Sequence, residues 1–329
     1  MNGQILLMLP IALSATLAGC RSPEHEASER YVLIANNTKV PYWQTAIAGF
    51  NRAGRSMNVR TDVAGPENYN PKVQHEEFQK ILQQKPTGIL ISAGDAALIQ
   101  PDINAAIERG IPVLTIDSDA QDSKRLFFIG TDNYKVGAMG GRVVAEQLRG
   151  KGNVVFYTIP AQPNLYERLH GYQDTFAGYP GLKTTRVIDT KGNASIAFDM
   201  TKDVLKNGAD KVDAFVCLES TSCAEVADVL EREHITNKVV VAMDSAPRTL
   251  VGIQNGIITA TIAQKPFTMG YFGVKMLDDI HHHNPGPLDR KWSEHSFSPI
   301  PSFVDTGATL ITESNVHVFL TALQTETGR

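Results

Sequence analysis

The chain reads as an α/β protein of two doubly wound parallel-sheet lobes. Three observations predict this. Short runs that are apolar on both faces alternate with amphipathic helical patterns from residue 31 almost to the end, as in parallel sheets covered on both sides. The alternation passes through two stretches, each about the length of one doubly wound unit. The length, 329 residues, exceeds what one hydrophobic core usually organises.

The elements follow in order. Tyr31 to Ala35 is a strand and Tyr42 to Arg55 a helix. Val59 to Val63 is strand-like, Val73 to Gln84 helical, and Gly88 to Ser92 a strand again. The helix from Ile99 to Arg109 closes on Gly110, a stop signal, and strands Ile111–Ile116 and Leu126–Ile129 come next. The pattern restarts with a helix at Tyr134–Arg149, a strand at Val154–Tyr157, a helix at Leu165–Phe176, a strand at Thr184–Ile188 and a helix at Ala194–Asn207. Strand Ala214–Cys217, a helix to Glu233, strand Val239–Met243, a short helix and strand Ile258–Ile262 complete it. Two lobes are therefore expected; the family resemblance described below implies their bounds, residues 31–131 plus about 265–294 and 132–264 plus about 295–329, joined by a hinge of several crossovers.

Ile5 to Gly19 is apolar or small throughout, short for a spanning helix but suited to a secretion signal. It ends in Leu17-Ala18-Gly19-Cys20, which resembles the lipobox of bacterial lipoproteins. That resemblance implies a signal peptide at 1–19, a lipid on Cys20 and a polar tether over 20–30. Met1 to Gln4 lacks the usual Lys or Arg, so an uncleaved apolar anchor or a different start are alternatives. Either keeps the chain at a membrane surface, in the cell envelope. Lipoprotein sorting rules read Arg21, rather than Asp, after Cys20 as favouring an outer membrane. Cys217 ends a strand and Cys223 sits in the next helix. An oxidising compartment permits a disulfide between them; two buried free thiols fit equally well. With 31 basic and 35 acidic residues interspersed, nucleic acid is not an expected partner.

In open parallel sheets ligands bind beyond the carboxyl ends of the strands. Polar residues stand at those ends: Asn36-Asn37, Asp117-Ser118-Asp119, Glu219-Ser220-Thr221 and Asp244-Ser245. This reads as a crevice between two lobes. Six segments, in order, carry a resemblance: Val40-Pro-Tyr-Trp43, Ile111-Pro-Val-Leu-Thr-Ile-Asp117, Ile129-Gly-Thr-Asp-Asn133, Glu167-Arg168-Leu-His-Gly171, Val240-Val-Ala-Met-Asp244 and Thr261-Ile-Ala-Gln264. Over residues 31–320 the chain resembles the periplasmic sugar-binding proteins of ABC importers, of the ribose- and galactose-binding type, with the type I periplasmic binding fold.

The resemblance implies that Tyr42 and Trp43 stack on a sugar while Asp117, Arg168, Asp244 and Gln264 bind its hydroxyls. The chemistry agrees. A sugar ring presents hydroxyls that donate and accept around C–H faces, so a site needs charged planar groups and aromatic plates. Gln264 falls where the chain crosses between lobes and could bridge both. Each residue also has a plainer reading: Trp43 as core, Asp244 as a helix N-cap, Arg168 as a surface partner of Glu167.

Three positions depart from the ribose binders. Ser118 stands where an arginine is common, Glu219 where an asparagine is usual, and Val40 where an asparagine often precedes the proline. One cation fewer and one acid more suit a ligand with more hydroxyl donors, an amino group or a bound cation, so ribose is not assigned. Expected partners are a sugar or polyol, an ABC permease or a sensor (chemoreceptor or histidine kinase), and the membrane through the anchor; the protein is expected to be a monomer. No cofactor, metal site or catalytic residue is expected. Facing acids could form a glycosidase pair, but an arginine among them suits static recognition. A secretion signal replaces the DNA-binding headpiece of a repressor. No GxxxxGK[ST] loop occurs. His281-His282-His283 ends a helix beside Asp278 and Asp279; adjacent histidines do not share a helix face, so a solvated helix end is preferred to a metal site. Asn193-Ala-Ser195 fits a glycosylation pattern that a bacterial lipoprotein would not use.

Overall fold

The computed structural model describes residues 25–26, 28–208, 211–284, 286, 291–295 and 297–327; the lipobox and Cys20 lie outside them. The elements run β1 (Arg30–Ile34), α1 (Pro41–Met57), β2 (Arg60–Ala64), α2 (Pro71–Gln83), β3 (Gly88–Ile91), α3 (Ala96–Glu108), β4 (Val113–Ile116) and β5 (Phe128–Gly130). Then come α4 (Asn133–Gln147), β6 (Lys151–Thr158), α5 (Pro163–Ala177), β7 (Gly181–Asp189), α6 (Ala194–Lys206), β8 (Ala214–Cys217), α7 (Ser222–Arg232), β9 (Val239–Met243), α8 (Pro247–Gln254) and β10 (Ala260–Ala263). The chain closes with α9 (Pro266–His282), β11 (Phe303–Asp305), β12 (Thr309–Thr312) and α10 (Val316–Thr327).

Two six-stranded sheets result, ordered β11-β5-β4-β3-β1-β2 and β12-β10-β9-β8-β6-β7. Replacing β1–β5 by β6–β10 and β11 by β12 turns one order into the other, so the lobes are pseudo-repeats. Every neighbouring pair is parallel except β10 with β12. Strands β3, β4, β8 and β10 are buried at every residue, which explains their unbroken apolar runs. The edge strand β7 is largely exposed and β2 has no buried residue, and they carry charges, Arg60 and Asp62 in β2 and Lys183 and Arg186 in β7, as edges do.

The chain passes between the sheets three times: from Gly130 to Asn133, from Ala263 to Pro266, and from Asp305 to Thr309. The third passage corrects the expected boundary near residues 294–295. Phe303–Asp305 pairs with β5 and so extends the first sheet. Three residues at a sheet edge carry too little periodicity to be placed by pattern alone.

Five helices (α1, α2, α5, α8 and α9) open on proline. Proline suits a first turn because its missing N–H has no intrahelical partner there. Asn70, Asp95, Asp132 and Asn193 cap α2, α3, α4 and α6 with side-chain oxygens, the last accounting for Asn193 structurally.

The crossing helices pack unusually close to their neighbours. A Cβ on Gly137 of α4 would lie 2.0 Å from the carbonyl oxygen of Arg168 on α5, and one on Gly171 of α5 2.2 Å from that of Tyr134. Gly49 of α1 and Gly270 of α9 repeat the arrangement in the first lobe, at 2.1 and 2.2 Å from Phe267 and Ala46 carbonyl oxygens. Gly137→Ala must push α4 off α5. We expect a loss of about 1–3 kcal/mol by overpacking, read as a lower Tm. Gly178→Ala is expected to be near neutral, because its added Cβ meets only one atom, at 3.4 Å.

Candidate functional site: the cleft between the lobes

The carboxyl ends of both sheets face one cleft, lined by residues of both lobes including Asn36, Tyr42, Trp43, Asp117, Arg168, Glu219, Asp244 and Gln264. All seven binding residues expected from the sequence therefore come together.

Asp117 follows β4 and Asp244 follows β9, the equivalent third strand of each sheet. Both have left-handed backbones, φ 64° and 67°, a conformation non-glycine residues rarely adopt. At Asp117 the Ser118 N–H donates to the Ile116 carbonyl at 2.6 Å, closing a three-residue turn. Tyr42 donates its hydroxyl to Asp117 Oδ1 at 2.7 Å. Asp244 Oδ1 accepts from Gln264 Nε2 at 3.0 Å.

Arg168, on the first turns of α5, is 2 % exposed and makes no pair with Glu167. Its Nε donates to Asn133 Oδ1 at 2.8 Å, Nη1 to the Leu218 carbonyl at 2.7 Å and Nη2 to Gln264 Oε1 at 3.0 Å. Of a guanidinium's five N–H groups, two remain for the cleft. Gln264 thus links Arg168 to Asp244. Both its bonds stay in the second lobe, although the chain crosses directly after it.

Burial raises the carboxyl pKa of Asp117 and Asp244, and the Arg168 charge only partly offsets it. Asp244 reaches about 7, pushed further by the neighbouring Asp117 and Glu219 charges. Burial and Asp117 likewise hold the Tyr42 hydroxyl protonated, as a donor.

Trp43 is core as well as lining: 3 % exposed, it packs in the first lobe's hydrophobic cluster, edge-on to Tyr42 with centroids 5.6 Å apart. Glu219 is half-buried, and its carboxylate accepts from Thr221 N at 2.6 Å, Thr221 Oγ1 at 2.5 Å and the Ser222 hydroxyl. It is held by the turn leading into α7 and presents only its remaining acceptor capacity to the cleft. That loop is stapled, because Cys217 and Cys223 are joined in a disulfide with Cα atoms 5.6 Å apart. Asp119 turns out of the cleft into an ion pair with Arg125.

Sequence reasoning passed over Ser92, Gln162, Asn164 and Tyr69. Asn164 donates to Asp117 Oδ2 and Asn36 to Gln162 Oε1 across the lobes, each at 3.4 Å. Tyr69, from the first lobe, packs on the second lobe's core beside Ile159, and a Cβ on Gly192 would lie 2.7 Å from Tyr69 Cβ. A signal for two of them was present: Gln162-Pro163-Asn164 follows β6 as Val40-Pro41-Tyr42 follows β1.

Residues 31–283 match the family model described as the periplasmic binding protein domain. The chain belongs to that family. It is 24 % identical over 290 residues to the D-allose-binding periplasmic protein of Escherichia coli (strain K12), spanning 84 % of this chain and 93 % of that one. Among solved structures it is similar to AraP, an arabinose binding protein from Geobacillus stearothermophilus, with TM-score 0.72 and 31 % identity over 89 % of this chain and 99 % of that one. An ABC transporter solute binding protein from Burkholderia graminis C4D1M, in complex with D-arabinose, matches with TM-score 0.80 and 26 % identity over 88 % and 98 %. A periplasmic binding protein of this kind works outside the cytoplasm, and no described helix is long and apolar enough to cross a membrane.

The cleft acids set a pH dependence. Unfolded Asp ionises near 3.9, whereas folded Asp244 keeps its proton up to about pH 7. Between these values the native state binds more protons, so stability falls as pH rises, by up to about 1.4 kcal/mol per pH unit. Denaturant unfolding from pH 4 to 8 should show this slope, and Asp244→Asn should flatten it.

Proposed function

We propose that the protein is the substrate-binding lipoprotein of an ABC-type importer. It takes a sugar or polyol between Tyr42, Trp43 and Asp117 of one lobe and Arg168, Glu219, Asp244 and Gln264 of the other. The observation that carries this reading is the buried Arg168 with carboxylates from opposite lobes in its field, each bonded by a hydroxyl-matching amide. Tyr42 and Trp43 would stack on the ring. A guanidinium and carboxylates bind paired hydroxyls through charge-assisted hydrogen bonds. The relatives named for D-allose and arabinose support a monosaccharide-sized ligand.

Three chain crossings would serve as the hinge. Only contacts made by both lobes at once can favour the closed form, and ligand would add to the Asn36–Gln162 and Asn164–Asp117 contacts. With Cys20 lipidated, residues 20–30 would tether the lobes to the membrane and present the closed form to a permease. A sensor protein could read the same closed form.

The test is thermal unfolding against pentoses, hexoses, amino sugars, inositols and polyols. A ligand at about a hundred times its Kd adds roughly 2.7 kcal/mol, a shift of several degrees. We expect one sugar or polyol class to give it and Arg168→Ala to abolish it; no shift across the panel would sink the sugar assignment. Gly192→Ala is expected to weaken the same ligand by wedging Tyr69 away from the second lobe. Equal affinity in that variant would show that the lobes need not meet there.

A further inference from the structure

At the opposite end of the first sheet, before β1 begins, four side chains from distant parts of the chain converge. His25 and Glu29 come from the segment leading into β1, and Asp278 and His282 from the last turns of α9. One potential ligand atom from each lies within 4.8 Å of all the others. We propose that these residues bind one divalent transition-metal ion, with zinc as the best-matched ion.

The hydrogen bonds orient the cluster as a metal site does. His282 Nδ1 lies 3.0 Å from the Asp278 carbonyl oxygen, so its N–H donates there and fixes the tautomer. The lone pair on Nε2 then faces Glu29 Oε1 at 3.1 Å: two acceptors that need a proton or a cation between them. His25 Nε2 meets Asp278 Oδ2 at 3.0 Å, while Tyr31 donates its hydroxyl to Asp278 Oδ1 at 3.0 Å and orients that carboxylate. Such outer partners are usual around metal ligands.

An independent observation argues against protons alone. Glu29 is 4 % exposed; Oε1 also accepts from the Glu26 N–H at 2.9 Å, but Oε2 is buried with no hydrogen-bond partner. Imidazolium–carboxylate pairs would satisfy Oε1 and leave Oε2 orphaned, whereas a cation can take both oxygens. Two imidazoles and two carboxylates suit zinc, at about 2.0–2.2 Å per ligand, better than the all-oxygen shell of calcium or magnesium. His281 and His283 take no part: His283 pairs with Asp279 on the exposed side of the helix end. A bound ion would clip the segment that follows the lipobox to the end of α9.

The experiment uses the full chain in mild detergent, stripped with a chelator and titrated with zinc by calorimetry, with cobalt as a spectroscopic probe. We expect one ion per chain and the intense visible cobalt bands of a four- or five-coordinate site, not the weak bands of an octahedral one. Glu29→Gln and His25→Ala should each weaken zinc by more than the roughly 10–100-fold lost with an outer-shell partner. The double variant His281→Ala/His283→Ala should bind as the parent does. His25 lies outside every strand and helix, so its removal tests the site without threatening the fold. Absence of binding, or binding lost in the double variant and kept in Glu29→Gln, would overturn the proposal.

Discussion

The cleft depends on one buried guanidinium. Arg168 is among the largest fully buried side chains of the protein, and an isolated charge there would be strongly unfavourable. It is tolerable because three donors are fixed by Asn133, Leu218 and Gln264 and because Asp117 and Asp244 lie in its field. Burial of both carboxyls outweighs the one cation they share, hence their raised pKa. A ligand that donates hydroxyl hydrogens would supply what the protein withholds.

The placement of that guanidinium follows from how the lobes are wound together. Each sheet hands its penultimate connection to the other lobe: α4, after β5, packs on α5, and α9, after β10, packs on α1. Glycines let each pair approach to backbone contact, which fixes α5 and with it Arg168 relative to the crossing at Gly130. The same closeness seats α1, and so Tyr42 and Trp43, beside the crossing at Ala263. Site geometry and interlobe connection are therefore one piece of construction, and disturbing a helix pair disturbs both.

The sheets were legible because buried parallel strands are apolar without interruption, and the site because strand-end acids recur at a fixed place in each lobe. What stayed hidden has physical reasons. Strand β11 is three residues at an edge. Gln162 and Asn164 are uncharged amides, conspicuous only once β6 is aligned on β1. Trp43 looked like either a plate or core, and the structure places it in the core with an edge to the cleft. The pairing of Cys217 with Cys223 needed coordinates, since a strand end and a helix start do not define a Cα separation.

That disulfide bears on which ligand fits. It closes the loop holding Glu219, whose carboxylate is already engaged by Thr221 and Ser222. An asparagine there would offer both a donor and an acceptor; this glutamate offers acceptors alone and adds to the negative field on Asp244. Ser118, in the arginine position of the ribose binders, is buried and contributes no charge. If the resemblance to the ribose binders holds position by position, the cleft would be poorer in donors and richer in acceptors than their site. On the function proposed above, the ligand would be one with more hydroxyl or amino hydrogens to give than ribose has, facing an acid already held by Thr221 and Ser222.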